Sequence, residues 1–337
     1  MTANLSAPTV QIRIDHYSAV ELAASAARSL AEDCGLPGAM PEQAAVLASE
    51  LASNLDKHAR DGTLYLQPLL VGGGLEILAA DSGPGILDPQ RALADGYTTT
   101  ATLGAGLGAV RRIATDFTFR SLVDTGTLAC ARLSVPGTEG TGQGVGSLCL
   151  PVETEKDCGD ACAGADTAGA RTVAVIDGLG HGSPAAEAAQ AALRVFHRGP
   201  DRPLPDILTG MHRALRHTRG AAVGIMRLRS GQAEYCGVGN VRAAVLSFED
   251  VHHRLSGQPG VVGLTLPTPR THRIALRPGA TAVLHSDGID ERWTHAASPF
   301  LLRLPPGLLA VALAHDHRRI RDDACAVVAK APGIPHV

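Results

Sequence analysis

Four acidic positions in the second half of the chain have the types and settings needed for metal-assisted hydrolysis. Asp160 lies in Cys-Gly-Asp-Ala, Asp177 in Val-Ile-Asp-Gly-Leu-Gly-His-Gly, Asp287 in Leu-His-Ser-Asp-Gly, and Asp322-Asp323 precede a final apolar run. Asp177, Asp287 and Asp322-Asp323 border runs that read as strands, so these carboxylates fall at strand ends beside small residues. Carboxylates placed in that way can converge on hard cations, and two cations about 3.5–4 Å apart can clamp a phosphoryl group. A single Asp-Gly is ordinarily a turn, but four in this order are harder to explain as turns. His181, after the glycine turn of Asp177, reads either as a solvent-facing residue or as a group near the leaving oxygen. His252, His253, His315 and His317 read as surface residues.

The first half carries a different set. Glu50 and Asn54 are four apart in a helical stretch and therefore share a helix face. The Asn54 amide oxygen suits Mg²⁺, and Glu50 is placed to orient or deprotonate an attacking hydroxyl; an exposed polar face explains the pair equally well. Asp81-Ser-Gly-Pro-Gly85 follows an apolar strand. Its glycines allow close backbone approach and its carboxylate can accept from an exocyclic amine such as that of adenine, with a tight turn as the plain alternative. Leu103-Gly-Ala-Gly-Leu-Gly108 opens a helix, where backbone N–H groups make a phosphate cradle.

Positioning these groups requires two α/β units. Residues 9–14 read as a strand, 18–34 and 41–60 as helices, 64–71 and 75–80 as a strand pair. A polar segment runs to about residue 103, then comes a helix at 105–115 and strands at 117–123 and 127–135. Residues 135–143, rich in Gly and Thr, have the composition of a linker. In the second half, strands are expected at 145–152, 171–176, 221–229, 233–238, 243–248, 280–285 and 324–330, with helices at 184–197 and 204–218. Many strands with a few long helices suit a layered sandwich.

Composition narrows the function classes. Hydrophobic residues are 45% of the 337 and aromatics only 3%, so two aliphatic cores are affordable. A net charge of −3 opposes counterion-driven nucleic-acid binding, and few aromatics oppose single-strand stacking. No run of about 18 apolar residues points to a membrane span, and the N-terminal stretch lacks the pattern of a secretion signal. The seven scattered cysteines imply free thiols in a reducing cytoplasm rather than a disulfide framework.

The order of the three first-half motifs resembles the GHKL-type ATPase fold, and within it the RsbT and RsbW class of serine kinases, over residues 9–134. That resemblance implies an ATP site with Glu50 as catalytic base, Asn54 as Mg²⁺ ligand, Asp81 as adenine reader, Gly83, Gly85, Gly104, Gly106 and Gly108 as the glycine boxes, and Thr127 near the adenine. Residues 144–330 resemble the SpoIIE/RsbX branch of the PPM-type protein phosphatases. Here the resemblance implies an α-β-β-α sandwich holding two Mn²⁺ or Mg²⁺ ions, with Asp160, Asp177, the Gly178 carbonyl, Asp287 and Asp322 as ligands and Asp177 bridging; one residue of register separates Asp322 from Asp323 as the last ligand. The implied function is a cytoplasmic regulator that sets the phosphorylation of a partner's Ser or Thr, with a STAS-type anti-sigma antagonist as target. Two rivals stay open: a phosphatase whose ATP unit only senses nucleotide or docks a partner, and a non-catalytic partner-switching scaffold. A homodimer is allowed.

Overall fold

The structure, a computed structural model, describes residues 8–88, 106–138 and 142–332. The chain divides into two compact units, one spanning Thr9–Thr141 and the other beginning at Gly142. Gly104 and most of the polar segment before it lie outside the described residues.

The first unit is one antiparallel sheet under helices. Strands β1 (Val10–Arg13), β2 (Thr63–Pro68), β3 (Gly74–Asp81), β4 (Asp116–Leu122) and β5 (Gly126–Ser134) lie in the order β1-β2-β3-β5-β4. Helices α1 (Ser18–Asp33) and α2 (Met40–His58) pack closely on each other. Alanines make this possible: Ala23, Ala27 and Ala31 of α1 and Ala44, Ala48 and Ala52 of α2 are all fully buried, and such short side chains let helix axes approach. Leu64, Leu66, Leu75, Ile77, Ala129, Ala131 and Leu133 supply the sheet side of that core by strict alternation. A third helix, α3 (Gly106–Ile113), packs on α2. Residues 135–138, read from composition as linker, are tied down locally. The Val135 N–H donates to the Gly73 carbonyl at 2.9 Å, and the Thr138 hydroxyl donates to the carbonyl of Val135 at 2.7 Å.

The alternate positions of the sheet carry a buried polar row. Gln67, Glu76, Arg132 and Asp116 are cross-strand partners in succession over β2, β3, β5 and β4. Glu76 accepts from Arg132 Nε at 2.8 Å and from the Gln67 amide at 2.8 Å, and Thr9 donates to Gln67 at 2.6 Å. Burial works against the Arg132 charge, yet Glu76 outweighs it and holds the guanidinium above its ordinary value.

The second unit is two antiparallel sheets face to face with helices outside. Strands β6 (Val145–Leu150), β7 (Asp160–Thr167), β8 (Ala170–Gly178), β9 (Ala221–Arg229), β10 (Gln232–Val238), β11 (Arg242–Leu246), β12 (Val251–Ser256), β13 (His272–Ala275), β14 (Thr281–His285) and β15 (Ala324–Lys330) form the sheets β13-β10-β9-β8-β7 and β12-β11-β14-β15-β6. Helices α4 (Ser183–His197) and α5 (Leu204–Ala214) cover the first sheet. After a short helix, α6 (Pro299–Leu302), helix α7 (Pro306–Asp316) covers β6 and β15 of the second. This is the α-β-β-α layering expected from the sequence.

The sequence expectation did not include β7, β12, β13, α6 or α7. β7 reads DACAGADT, poor in strand formers, and is extended because it pairs along its whole length with β8. β12 and β13 are polar strands at sheet edges, where only part of each side is covered. α7 shows no helical periodicity because every residue from Pro306 to Ala314 is buried.

Replacing Glu76 by Ala is expected to lower the unfolding free energy of the first unit by about 3–5 kcal/mol, because Arg132 is left buried without its partner. Urea melts read by circular dichroism test this, and a loss below about 1 kcal/mol would show the pair to be dispensable.

Candidate functional site

In the second unit the sheet register brings the acidic residues together. Asp160 opens β7 and stands directly opposite Asp177 near the end of β8. Asp160 is only 4% exposed, and its Oδ2 accepts from the Ser286 hydroxyl at 2.6 Å. Ser286 is itself fixed by β15: its N–H donates to the Cys325 carbonyl at 3.0 Å, and its oxygen accepts from the Cys325 N–H at 2.9 Å. Asp287 follows, and its Oδ2 accepts from the Asn240 amide at 2.6 Å. Gly288 then runs against β15 so closely that a Cβ would stand 1.9 Å from the Asp323 carbonyl oxygen. Only glycine permits that approach, which carries Asp287 toward Asp322.

The adjacent aspartates Asp322 and Asp323 have different jobs. Asp323 is 3% exposed and accepts from the N–H of Val152 at 2.8 Å and of Gly159 at 2.9 Å, one on each oxygen. It clamps the segment between β6 and β7. Asp322 accepts only a local bond from the Asp323 N–H at 3.0 Å and is half-buried, facing the charge of Asp287. The Gly178 N–H donates to the Gly159 carbonyl at 3.0 Å, joining the two strand ends. His181 is 66% exposed, with Nδ1 3.1 Å from Glu155, so it faces solvent.

Electrostatics make this cluster uncomfortable. Burial, then Asp177, push the Asp160 carboxyl well above the usual carboxylate range against the help of Ser286. Burial, then Asp287 and Asp322, push Asp177 up to about 7, against the help of Asn240. Asp322 is raised by burial and by Asp287. Asp177 Oδ2 is buried with no hydrogen-bond partner among the described residues. Among those residues no three carboxylates, imidazoles or thiols already stand at coordination distance; the side chains are near neighbours awaiting a counter-charge. An oxygen-only donor set with an orphaned, buried carboxylate oxygen fits hard divalent cations.

The first unit gathers its motifs around the end of β3. Asp81, the last residue of β3, accepts from the Gly83 N–H at 2.7 Å and pairs in register with Thr127. Gly126 (φ +135°) passes so near that a Cβ would lie 1.9 Å from the Asp81 carbonyl oxygen. Gly83 packs on the carbonyl of His58, one turn beyond Asn54 on α2. Asn54 Nδ2 is buried without a partner among the described residues, and Glu50 is half-buried one turn earlier. Gly106 and Gly108 form the start of α3, which packs on α2. Sequence reasoning missed Ser121: its hydroxyl accepts from the Ile86 N–H at 2.7 Å and lies 2.9 Å from Thr127 Oγ1, fastening the glycine loop to the strand. A lone Ser in a strand gives no sequence signal. Asn240 and Ser286 were likewise not singled out as site residues, although each stands beside a glycine-rich or acidic motif.

Comparison with known proteins assigns both units. The stage II sporulation protein E (SpoIIE) model matches residues 168–332. Serine/threonine-protein kinase RsbT of Bacillus subtilis (strain 168) is 34% identical over 102 residues, which are 30% of this chain and 77% of RsbT. Phosphoserine phosphatase RsbX of the same organism is 29% identical over 126 residues, 35% of this chain and 60% of RsbX. The chain belongs to the RsbT family over its RsbT-like stretch; over residues 168–332 it is similar to SpoIIE, and it is similar to RsbX as well. A solved chain described as "The bacterial stressosome: a modular system that has been adapted to control secondary messenger signaling" is 32% identical, with a TM-score of 0.51, and the match covers 55% of this chain and 98% of that one. The SpoIIE match falls within the second compact unit, and no described helix of the chain is long and apolar enough to cross a membrane.

The raised Asp177 gives a pH test for the SpoIIE unit. An unfolded aspartate titrates near about 3.9, so between that value and about 7 the folded chain holds a proton that the unfolded chain has lost. The stability this proton carries is complete below the lower value and lost as pH rises through the upper one. In chelator, the difference in melting temperature between wild type and Asp177→Asn should therefore widen in favour of the variant from about pH 5 to pH 8, and Mn²⁺ should reverse it. A pH-independent difference would refute the coupling among these carboxylates.

Proposed function

We propose that the second unit is a PPM-type phosphatase that removes phosphate from Ser or Thr of a partner protein, and that the first unit is a GHKL-type ATP-binding unit acting as a serine kinase. The observation that carries the phosphatase reading is the buried, unpartnered Asp177 oxygen among Asp160, Asp287 and Asp322. Asp160, Asp177, the Gly178 carbonyl, Asp287 and Asp322 would hold two Mn²⁺ or Mg²⁺ ions. When bound, such ions supply Lewis acidity to the phosphoryl oxygens and an activated water. Ser286 fixes the Asp160 carboxylate, Asn240 fixes Asp287, and Asp323 holds the strand ends that carry Asp160 and Gly178.

With an ester phosphate and Mn²⁺ present, the protein is expected to turn over, and Asp177→Asn to lower kcat by at least about a hundredfold by removing one charge from the site. Thermal melts of the variant separate lost chemistry from lost folding. Wild-type turnover that survives full chelation would exclude a metal-dependent reaction.

The kinase reading is supported by likeness to RsbT, by the unpartnered Nδ2 of Asn54, a donor that suits a phosphate oxygen while the amide oxygen is left for a cation, and by the approach of the Asp81 turn to the end of α2. Asn54 would hold Mg²⁺ on the ATP phosphates, Asp81 with Thr127 would read the adenine, and Gly83, Gly85, Gly104, Gly106 and Gly108 would let the backbone close on the nucleotide. Glu50 would take the proton of the incoming serine hydroxyl. Phosphoryl transfer depends mainly on positioning and electrostatics, so Glu50→Ala should still show an ATP-induced rise in melting temperature while losing transfer. The named relatives support a STAS-type anti-sigma antagonist as the partner. The transfer assay uses the Asp177→Asn background so that product is not erased. An Asp177→Asn protein that binds ATP but labels no STAS partner, where RsbT labels the same partner, would favour a unit that only senses nucleotide.

A further inference from the structure

Four of the seven cysteines gather beneath Asp160. Cys149 on β6 and Cys325 on β15 are register partners, Cys162 is on β7, and Cys158 ends the loop leading into β7. All four are buried free thiols. The sulfurs of Cys149 and Cys158 are 3.5 Å apart. The Cys149 thiol also donates to the Asp160 carbonyl at 3.2 Å, while the Cys325 N–H reaches Asp160 through Ser286. The Cys149 thiol therefore holds the Asp160 backbone, while the Cys325 backbone, through Ser286, holds its carboxylate.

A disulfide needs about 2.05 Å between sulfurs, so the existing gap must close by about 1.5 Å. The two side chains already point at one another, and the loop between them, residues 151–157, carries exposed Glu153 and Lys156 at the surface. Closure draws the Cys158–Asp160 segment toward β6. It also removes the Cys149 S–H that the Asp160 carbonyl accepts. Gly159 lies inside that segment and bonds both Asp323 and Gly178, so the shift reaches three parts of the acidic site. A misplacement of about 1 Å in such a site costs on the order of a hundredfold in rate.

We propose that Cys149 and Cys158 form a peroxide-oxidisable pair whose disulfide disables the acidic site at Asp160. The chemistry closes without a cofactor. Once the loop is open to water, one thiol gives its proton to solvent, and the resulting thiolate attacks hydrogen peroxide to become a sulfenic acid, the hydroxide released being reprotonated to water. The second thiol displaces the sulfenic oxygen as a second water, so two thiols and one peroxide give one disulfide and two waters. Both sulfurs are buried, so peroxide gains access when the surface loop opens locally.

The switch rests on the two-metal reading of this site, and the covalent part is tested apart from it. The full chain is treated with hydrogen peroxide, alkylated, digested without reduction and mapped by mass spectrometry. The expected product is a peptide pair joined through Cys149 and Cys158, reversed by dithiothreitol. Oxidised protein should lose the Mn²⁺-induced rise in melting temperature and at least tenfold of its turnover, and regain both on reduction. Cys158→Ser should keep the Mn²⁺ response and resist peroxide, and Cys34→Ser, which alters an exposed thiol, should behave as wild type. A cross-link through Cys325 instead, no cross-link, or a Cys149–Cys158 cross-link that leaves the Mn²⁺ response intact would overturn the proposal. Absence of turnover before oxidation would count against the phosphatase reading and leave mapping and the Mn²⁺ melt to decide the thiol pair.

Discussion

The mutual repulsion of buried carboxylates is the constraint on which the second unit turns. At an effective dielectric near 20, two unit charges about 4 Å apart oppose each other by roughly 4 kcal/mol. Burial and the neighbouring carboxylates hold Asp160, Asp177 and Asp322 above the ordinary carboxylate range, and the neutral donors Ser286 and Asn240 relieve only part of this. The carboxylates cannot move apart, because their positions follow from strand register: Asp160 faces Asp177 across β7 and β8, and Gly288 seats the Asp287 turn on β15. A fold that fixes like charges so firmly has its lowest free energy when positive charge arrives from outside.

The first unit poses a milder version of the same problem. Its one buried ion pair, Glu76 with Arg132, is fully satisfied by hydrogen bonds and lies away from the helix core. The Asn54 amide is different: it is buried at the face of α2 against which the Asp81 turn closes, and no described group answers it. A buried polar atom without a partner calls for an explanation, and a bound ligand or ion is one. Among the described residues Asn54 Nδ2, Asp177 Oδ2 and Trp293 Nε1 are such atoms, and the first two lie at the motifs that the sequence singles out.

Most of this was legible in the sequence where local signals were strong. The apolar runs of β8, β9 and β15 and the alanine stripes of α1 and α2 announce themselves, and the aspartates at strand ends pointed to the acidic site. What stayed hidden depended on tertiary context. β7 is a strand only because β8 and Cys149 of β6 hold it, and α7 is buried on all sides, so no periodic stripe betrays it. Ser121, Ser286 and Asn240 act through single hydrogen bonds that no spacing rule reveals. The difference between Asp322 and Asp323 likewise needed coordinates: the backbone amides of Val152 and Gly159 each bond one oxygen of Asp323, whereas Asp322 accepts a local bond from the Asp323 N–H.

The position of β15 has a consequence for biosynthesis. It is the last strand in sequence, yet it lies inside its sheet, between β14 and β6, and β6 is the first strand of the unit. Until residues 324–330 have left the ribosome, the inner edges of β6 and β14 stand open, and exposed edges invite wrong pairing. The Asp322–Asp323 pair emerges in the same final stretch, so neither the clamp on Gly159 nor the acidic cluster exists before then. The helix-covered sheet of the first unit is fully synthesised well before this point, and domains generally fold as units as they emerge. During translation the nascent chain thus passes through a stage in which its first unit is complete while the acidic cluster of the second has still to be assembled.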